Sequence, residues 1–310
     1  MDYTIYYKES FDNGDIPDCE HYDYFISGFD DCERTKVIFN KVNAKSKIWL
    51  NFPHFNLEIE NTDNEHIYES TEVKEDDYFL GFFNTFNIAI GSQICIDITG
   101  FVRPHLVFLV TSLNRLGITK IDFIYSEPRH YKSAEETTFS GFIEEVRLIE
   151  GCTSYMNPET ENDLLIISAG YDDKLIAKVA QDKSKITNKY YLIGFPSLQP
   201  DMYQESILKM HQAKESIGQR KDIFAPAFDP FVTAQCIHDI VEKNRWSNIY
   251  LSPLSTKPQT LGIILYYLWN YRSKSVNIIY PYSNLYFPKT AYGIKKTWRY
   301  TVELPSIEEM

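Results

Sequence analysis

The chain lacks most of the short motifs that announce a chemistry. Its five cysteines, Cys19, Cys32, Cys95, Cys152 and Cys236, lie far apart and form no CxxC pair. That excludes a zinc knuckle and a thioredoxin-type redox site. The seven histidines include no HExxH, so the sequence offers no metal site and names no cofactor. There is no GxGxxG for a standard dinucleotide site, no GxxxxGK[ST] phosphate loop and no GxSxG nucleophile elbow. Positive charge is also short. Lys and Arg total 31 against 43 acids, a formal net charge of −12, which argues against general affinity for nucleic-acid backbones or anionic membranes. Apolar runs are broken by charge or turn residues before they reach membrane-spanning length. The polar, acidic opening MDYTIYYKESFDNGD cannot serve as a secretory apolar region. Scattered cysteines in odd number fit the reducing cytosol, so a soluble, cytoplasmic protein is expected.

Aromatic residues, in contrast, are abundant: 23 Tyr and 20 Phe help bring the aromatic share to 15%. Tyr joins a flat apolar body to a polar tip and suits strand surfaces, interfaces and stacking pockets alike. The remaining composition is that of a globular chain, and 310 residues suffice for one large α/β domain or two smaller ones.

No fixed-period repeat or low-complexity tract appears. Residues 1–20 read as a loose, turn-rich lead-in. Tyr22–Ser27 reads as a strand, Cys32–Val42 as a helix and Ser46–Phe52 as a second strand. Residues 56–75 read as a peripheral excursion. From residue 91 the pattern sharpens into apolar strand, turn, helix, strand: Ile94–Ile98, a helix opened by Pro104 and stopped at Gly117, then Ile121–Tyr125. The same form recurs from Asp163–Ser168, Tyr190–Ile193, Ile223–Ala225 and Asn248–Leu251 up to a last core strand, Val276–Tyr280. A helix is expected from near Asp201, a strand over Phe142–Ile149 and an edge strand over Trp298–Glu303. Short apolar runs alternating with amphipathic helices imply a largely parallel, doubly wound, Rossmann-like sheet with helices on both faces. The expected organisation is an N-terminal α/β portion, 1–90, sharing or adjoining the sheet of a core, 91–310, with an insertion at about 126–160.

In such sheets ligands bind at the carboxyl ends of strands, where loops run into helix N-termini. Six stretches qualify. Thr99 and Gly100 lead to Arg103, where a glycine admits close backbone approach and an arginine can clamp an anion. Ser126 and Glu127 follow the strand IDFIY, with Glu127 placed to meet a ribose hydroxyl. Gly170 and Tyr171 precede Asp172 and Asp173, either of which is a natural helix cap. Gly194 opens a long, two-proline loop. Asp229 precedes a proline, again a capping signature. Ser255, Thr256, Lys257 and Gln259 bring two hydroxyls and a cation to a helix start that would favour an anion. The stretch Tyr282–Tyr286 is a further candidate for stacking on a ring. Asp97, Glu127 and Asp229 are the candidate acids or bases.

The segment YDYFISGFDD followed by a helix resembles the opening strand of TIR domains over about ten residues, and no residue role is carried over. The overall layout is similar to Rossmann-like nucleotide-sensing domains such as those of prokaryotic defence systems. That resemblance implies a sensor or effector role by analogy of fold alone. Three functions follow in order of expectation. The first is binding of a nucleotide or other phosphorylated small molecule through these loops. The second is a nucleotide hydrolase or transferase using them, and the third a protein-interaction subunit with a Tyr-rich surface. The expected partner is a small anionic ligand, with a protein partner as the alternative.

Overall fold

A computed structural model describes residues 2–16, 21–59, 66–131, 141–200, 202–212, 220–283, 285–286 and 291–306. Cys19 and Asp201, named above, and Asn284, within the stretch Tyr282–Tyr286, lie outside them. The chain is a mixed α/β protein with two mostly parallel sheets. Its contacts divide it into two compact units. Unit I comprises Tyr6–Phe142 and Asn284–Glu309, and unit II comprises Met1–Ile5, Ile143–Ser283 and Met310.

Unit I is built on seven strands: β1 (Tyr7–Asp12), β2 (Tyr22–Gly28), β3 (Ala44–Asn51), β4 (His66–Glu69), β5 (Ile94–Asp97), β6 (Lys120–Tyr131) and β13 (Ala291–Glu303). They lie in the order β1-β13-β6-β5-β2-β3-β4. The five strands from β4 to β6 are parallel, while β13 and β1 are antiparallel additions. Three helices belong to it: α1 (Glu33–Lys41), α2 (Glu75–Thr85) and α3 (Arg103–Arg115). All four residues of β5 are buried, as expected of a strand flanked by parallel neighbours and covered on both faces.

Unit II holds β7 (Glu145–Leu148), β8 (Leu164–Ala169), β9 (Asn188–Gly194), β10 (Lys221–Ala225), β11 (Ile249–Pro253) and β12 (Val276–Tyr282). Its helices are α4 (Asp173–Asp182), α5 (Met202–Gln212), α6 (Pro230–Val241) and α7 (Lys257–Asn270). The sheet order is β10-β9-β8-β11-β12-β7. Only β7 runs antiparallel.

Each unit therefore arranges five parallel strands in the order third, second, first, fourth, fifth, and places an antiparallel strand beside the fifth, with β1 beyond it in unit I. A local sequence match accompanies this shared order. Ser27-Gly28-Phe29-Asp30-Asp31 closes β2, and Ala169-Gly170-Tyr171-Asp172-Asp173 closes β8. In both the turn ends in a helix, and in both the first of the two Asp accepts hydrogen bonds from the helix start. Asp30 takes Cys32 N at 3.1 Å, and Asp172 takes Lys174 N at 3.2 Å and Leu175 N at 3.3 Å. A search for a repeat of fixed period passes over this match, because it is short and joined by unlike sequence.

Several expectations need correction. The strand over Trp298–Glu303 is longer, spanning Ala291–Glu303, and lies between β6 and β1 rather than at an edge. The lead-in is not loose. It holds β1, and Tyr3 is fully buried in unit II, its ring 6.1 Å from that of His238 and its hydroxyl accepting from Asn270 Nδ2 at 2.8 Å. The excursion at 56–75 supplies β4, which pairs with β3. The pairing of β2 with β5 is no correction: it puts residues on either side of 90 in one sheet, an arrangement the sequence had left open. Ser126 and Glu127 belong to the continuous strand β6 rather than to a loop or insertion.

Candidate functional site

The sequence-predicted residues gather at two places, one in each unit. In unit I they meet where β2 and β5, the first and fourth parallel strands, lie side by side and their connections leave to different neighbours. Gly28 ends β2 and Gly100 follows β5, and the two backbones touch: a Cβ built on Gly100 would lie 2.1 Å from the Gly28 carbonyl oxygen. Only glycine at both positions permits this approach.

Around that contact lies a buried polar chain. Asp97 and Ser27 are register partners on β5 and β2. The Asp97 carboxyl accepts from Ser27 Oγ at 3.2 Å and from Thr99 N at 3.0 Å. Thr99 Oγ1 accepts from Ser126 N at 3.0 Å, and Ser126 Oγ lies 3.2 Å from Thr297 Oγ1. Arg34, the second residue of α1, donates from Nη1 to the Ser126 carbonyl at 2.8 Å. Asp30 accepts from Cys32 N and from Thr35 Oγ1 at 2.8 Å. Asp97 and Ser126 are fully buried, and Thr99 is 7% exposed. Burial raises the Asp97 carboxyl to about 6, and the charge of Asp30 pushes the same way, against the hydrogen bonds from Thr99 and Ser27. A carboxyl balanced near neutrality at a strand end is the kind of group that exchanges protons in catalysis.

Glu127 is also buried. It accepts from Trp298 Nε1 at 2.6 Å, with Lys295 Nζ 3.8 Å away. Burial raises its carboxyl above the usual range, opposed by the Trp298 bond and the lysines of β13. Glu127, Tyr125, Arg34 and Arg103 all lie within electrostatic reach of the Tyr131 phenol, which burial lifts to about 12 while the two guanidinium groups oppose it. Of the sequence candidates, Asp97, Thr99, Gly100, Arg103, Ser126 and Glu127 are thus brought together here.

The unit II group sits at the matching place, between β8 and β11. A Cβ on Gly170 would lie 2.2 Å from the Leu254 carbonyl oxygen. Gln259, fully buried, accepts from Ser168 Oγ at 3.1 Å and donates to the Ala225 carbonyl at 3.3 Å, tying the ends of β8 and β10. Thr256 caps α7 by accepting from Gln259 N and donates to the Ala227 carbonyl. Gly194, the last residue of β9, stands close to Ala227: an added Cβ would be 3.0 Å from that side chain. Lys257 is the first residue of α7, and Tyr171 and Ser255 flank the Gly170 contact in sequence. Asp229 caps α6, taking Phe231 N at 3.0 Å and Val232 N at 3.2 Å. This is a structural duty that accounts for the acid.

Sequence reasoning passed over Ser27, Asp30 and Arg34, which fall in its strand, turn and helix respectively. The recurring Gly-aromatic-Asp-Asp run was the available signal. It also passed over a buried cluster of His54, Glu75 and His105, which follow β3, β4 and β5 respectively. The two imidazole rings are 4.8 Å apart, among Phe52, Tyr78 and Tyr286. Burial lowers His54 to about 4, although the charge of Glu75 favours its protonated form. Tyr282 and Tyr286, suggested for stacking, are largely buried. Tyr282 already carries the Arg147 guanidinium 3.6 Å above its ring. Among the described residues, no three His, Cys, Asp or Glu side chains stand where they could share a metal ion, and no helix is long and apolar enough to cross a membrane. No family model matches the chain, and no curated protein matches its sequence.

Proposed function

We propose that the chain binds a nucleotide or other phosphorylated small molecule at the carboxyl ends of its parallel strands, in a doubly wound, Rossmann-like setting. One observation carries the reading. In both units a glycine at the end of the first parallel strand lies against the loop that follows the fourth, and the helix after that loop opens on a cation and a proline, Arg103-Pro104 or Lys257-Pro258. A strand order that reverses at its centre opens a crevice at that point. A helix start with a basic side chain favours an anion in that crevice. By analogy with nucleotide-sensing domains the role is that of a sensor or effector, in the cytosol, within a defence system.

Asp97 favours a second reading, a nucleotide hydrolase or transferase. A carboxyl near 6 in such a crevice suits general acid–base work on a phosphorylated substrate.

Thermal unfolding of the full chain across nucleotides, dinucleotides and sugar phosphates tests both. A ligand that binds only the folded state at one hundred times its Kd adds about 2.7 kcal/mol. The binding reading expects a raised midpoint with one ligand class, diminished in Arg103→Ala or Lys257→Ala. No rise with any member of the panel overturns it. Turnover of the stabilising ligand, abolished in Asp97→Asn, would support the enzyme.

A further inference from the structure

Among the described residues of the polar chain around the Gly28–Gly100 contact, Arg34 keeps a buried nitrogen that meets no acceptor. The residue is 8% exposed, and a buried cation is costly unless a counter-charge or a full set of acceptors meets it. Its Nη1 is satisfied by the Ser126 carbonyl at 2.8 Å. Its Nη2 meets only the Cys32 sulfur at 4.0 Å, and its Nε, fully buried, has no hydrogen-bond acceptor. No carboxylate among the described residues comes within ion-pairing distance of it. The acid close by in sequence, Asp30, is already engaged by Cys32 N and Thr35 Oγ1.

The two nitrogens left without an oxygen, Nε and Nη2, form one edge of the guanidinium. That edge binds carboxylates and phosphates side-on through two parallel N–H···O bonds. The Cys32 sulfur stands at the Nη2 end of that edge, and its thiol donates one weak bond, Sγ to the Ala291 carbonyl at 3.4 Å. Cys32 also occupies the cap position of α1 and gives that helix start no side-chain acceptor.

We infer that the Nε–Nη2 edge of Arg34 is the anion anchor of this crevice. It takes a phosphoryl or carboxylate oxygen pair side-on, in place of the Cys32 thiol. The inference rests on the binding reading above and names the residue that holds the charged group.

The test follows the Arg34 Nε–Hε resonance of the full-length, 15N-labelled chain during titration with inorganic phosphate, adenosine diphosphate and acetate, at constant ionic strength. Unfolding midpoints are recorded in parallel for the wild type and Arg34→Lys. The lysine keeps the charge and loses the fork. A saturable shift of the resonance is expected, with an apparent affinity at least about tenfold weaker in Arg34→Lys, the loss of roughly one charge-assisted hydrogen bond. A shift with phosphate and diphosphate marks a phosphoryl ligand, and a shift with acetate a carboxylate. A still resonance with a raised midpoint overturns the Arg34 assignment and leaves the binding reading standing. A still resonance with no change in midpoint removes both. Because the resonance is read on the wild type, a misfolded variant does not rescue the idea.

Discussion

Gly28 and Gly100 meet backbone to backbone, with the carbonyl carbon of Gly100 only 2.8 Å from where a Gly28 Cβ would stand. Neither partner is a flexible side-chain end, so nothing can swing aside. Gly100→Ala is expected to force β2 and the loop after β5 apart, at a cost of about 3 kcal/mol by comparison with overpacked cores. Gly91→Ala is the contrast. Its added Cβ would meet nothing within 4 Å, so only its positive φ of 86° opposes the change. Urea unfolding of both variants checks this. Equal losses would mean that the Gly28–Gly100 contact does not set the spacing between β2 and the loop after β5.

Asp97 should cost the fold stability at neutral pH. Its carboxyl is fully buried and raised to about 6 from 3.8. As pH climbs between those values, the unfolded chain releases a proton that the folded chain keeps, so stability falls. Above the window the loss is complete, about 3 kcal/mol at roughly 1.4 kcal/mol per unit. Asp97→Asn preserves an acceptor for Thr99 N and removes the charge. It is expected to be more stable than the wild type at pH 7.5 and level with it near pH 4, by chemical denaturation. A variant less stable at both pH values would show that the carboxylate itself holds β2 to β5.

His54 works against Asp97 across nearly the same window. Its ring is 2% exposed, and burial lowers it from 6.5 to about 4. As pH falls through that interval the unfolded chain takes up a proton that the folded chain refuses. Stability drops by about 3 kcal/mol, while Asp97 returns a similar amount. The wild type should therefore show a shallow profile between pH 6.5 and pH 4 that conceals two slopes. Asp97→Asn alone should become acid-labile, and His54→Gln alone should gain stability on acidification relative to neutrality. Parallel profiles for all three proteins would defeat the argument.

The alternation of strand and helix was legible because each core strand is an apolar run bounded by Gly, Pro or capping residues. Leu164–Ala169 and Ile249–Pro253 are buried along their whole length and look it. The division into two sheets was not legible. Pairing β13 with β6 and β1 joins segments more than a hundred residues distant, and nothing local encodes that. β1, YKESFD, has an exposed face and reads as turn. In the site, Asp97, Thr99 and Gly100 stood out as polar or small residues at or just after the end of a buried strand. Arg34 did not, since a cation in the first turns of a helix ordinarily points to water. Asp229 shows the reverse, a chemically suggestive acid whose duty is to cap α6.

Tyr3 offers a last check, on the N-terminal residues that read as a loose lead-in. The side chain is fully buried in unit II, its ring 6.1 Å from His238 and 6.4 Å from Tyr266. Its hydroxyl accepts from Asn270 Nδ2, and its amide donates to Gln235 Oε1 at 3.0 Å. Truncating a buried aromatic ring costs about 3–5 kcal/mol, and here Asn270 also loses an acceptor. Tyr3→Ala should therefore destabilise the chain by that amount, whereas Tyr3→Phe should lose only about 1 kcal/mol for the hydroxyl. Tyr7→Ala, at a residue 58% exposed on β1, should have a far smaller effect. Urea midpoints rank the three variants. A Tyr3→Ala protein as stable as the wild type would mean that these residues do not anchor to α6 and α7.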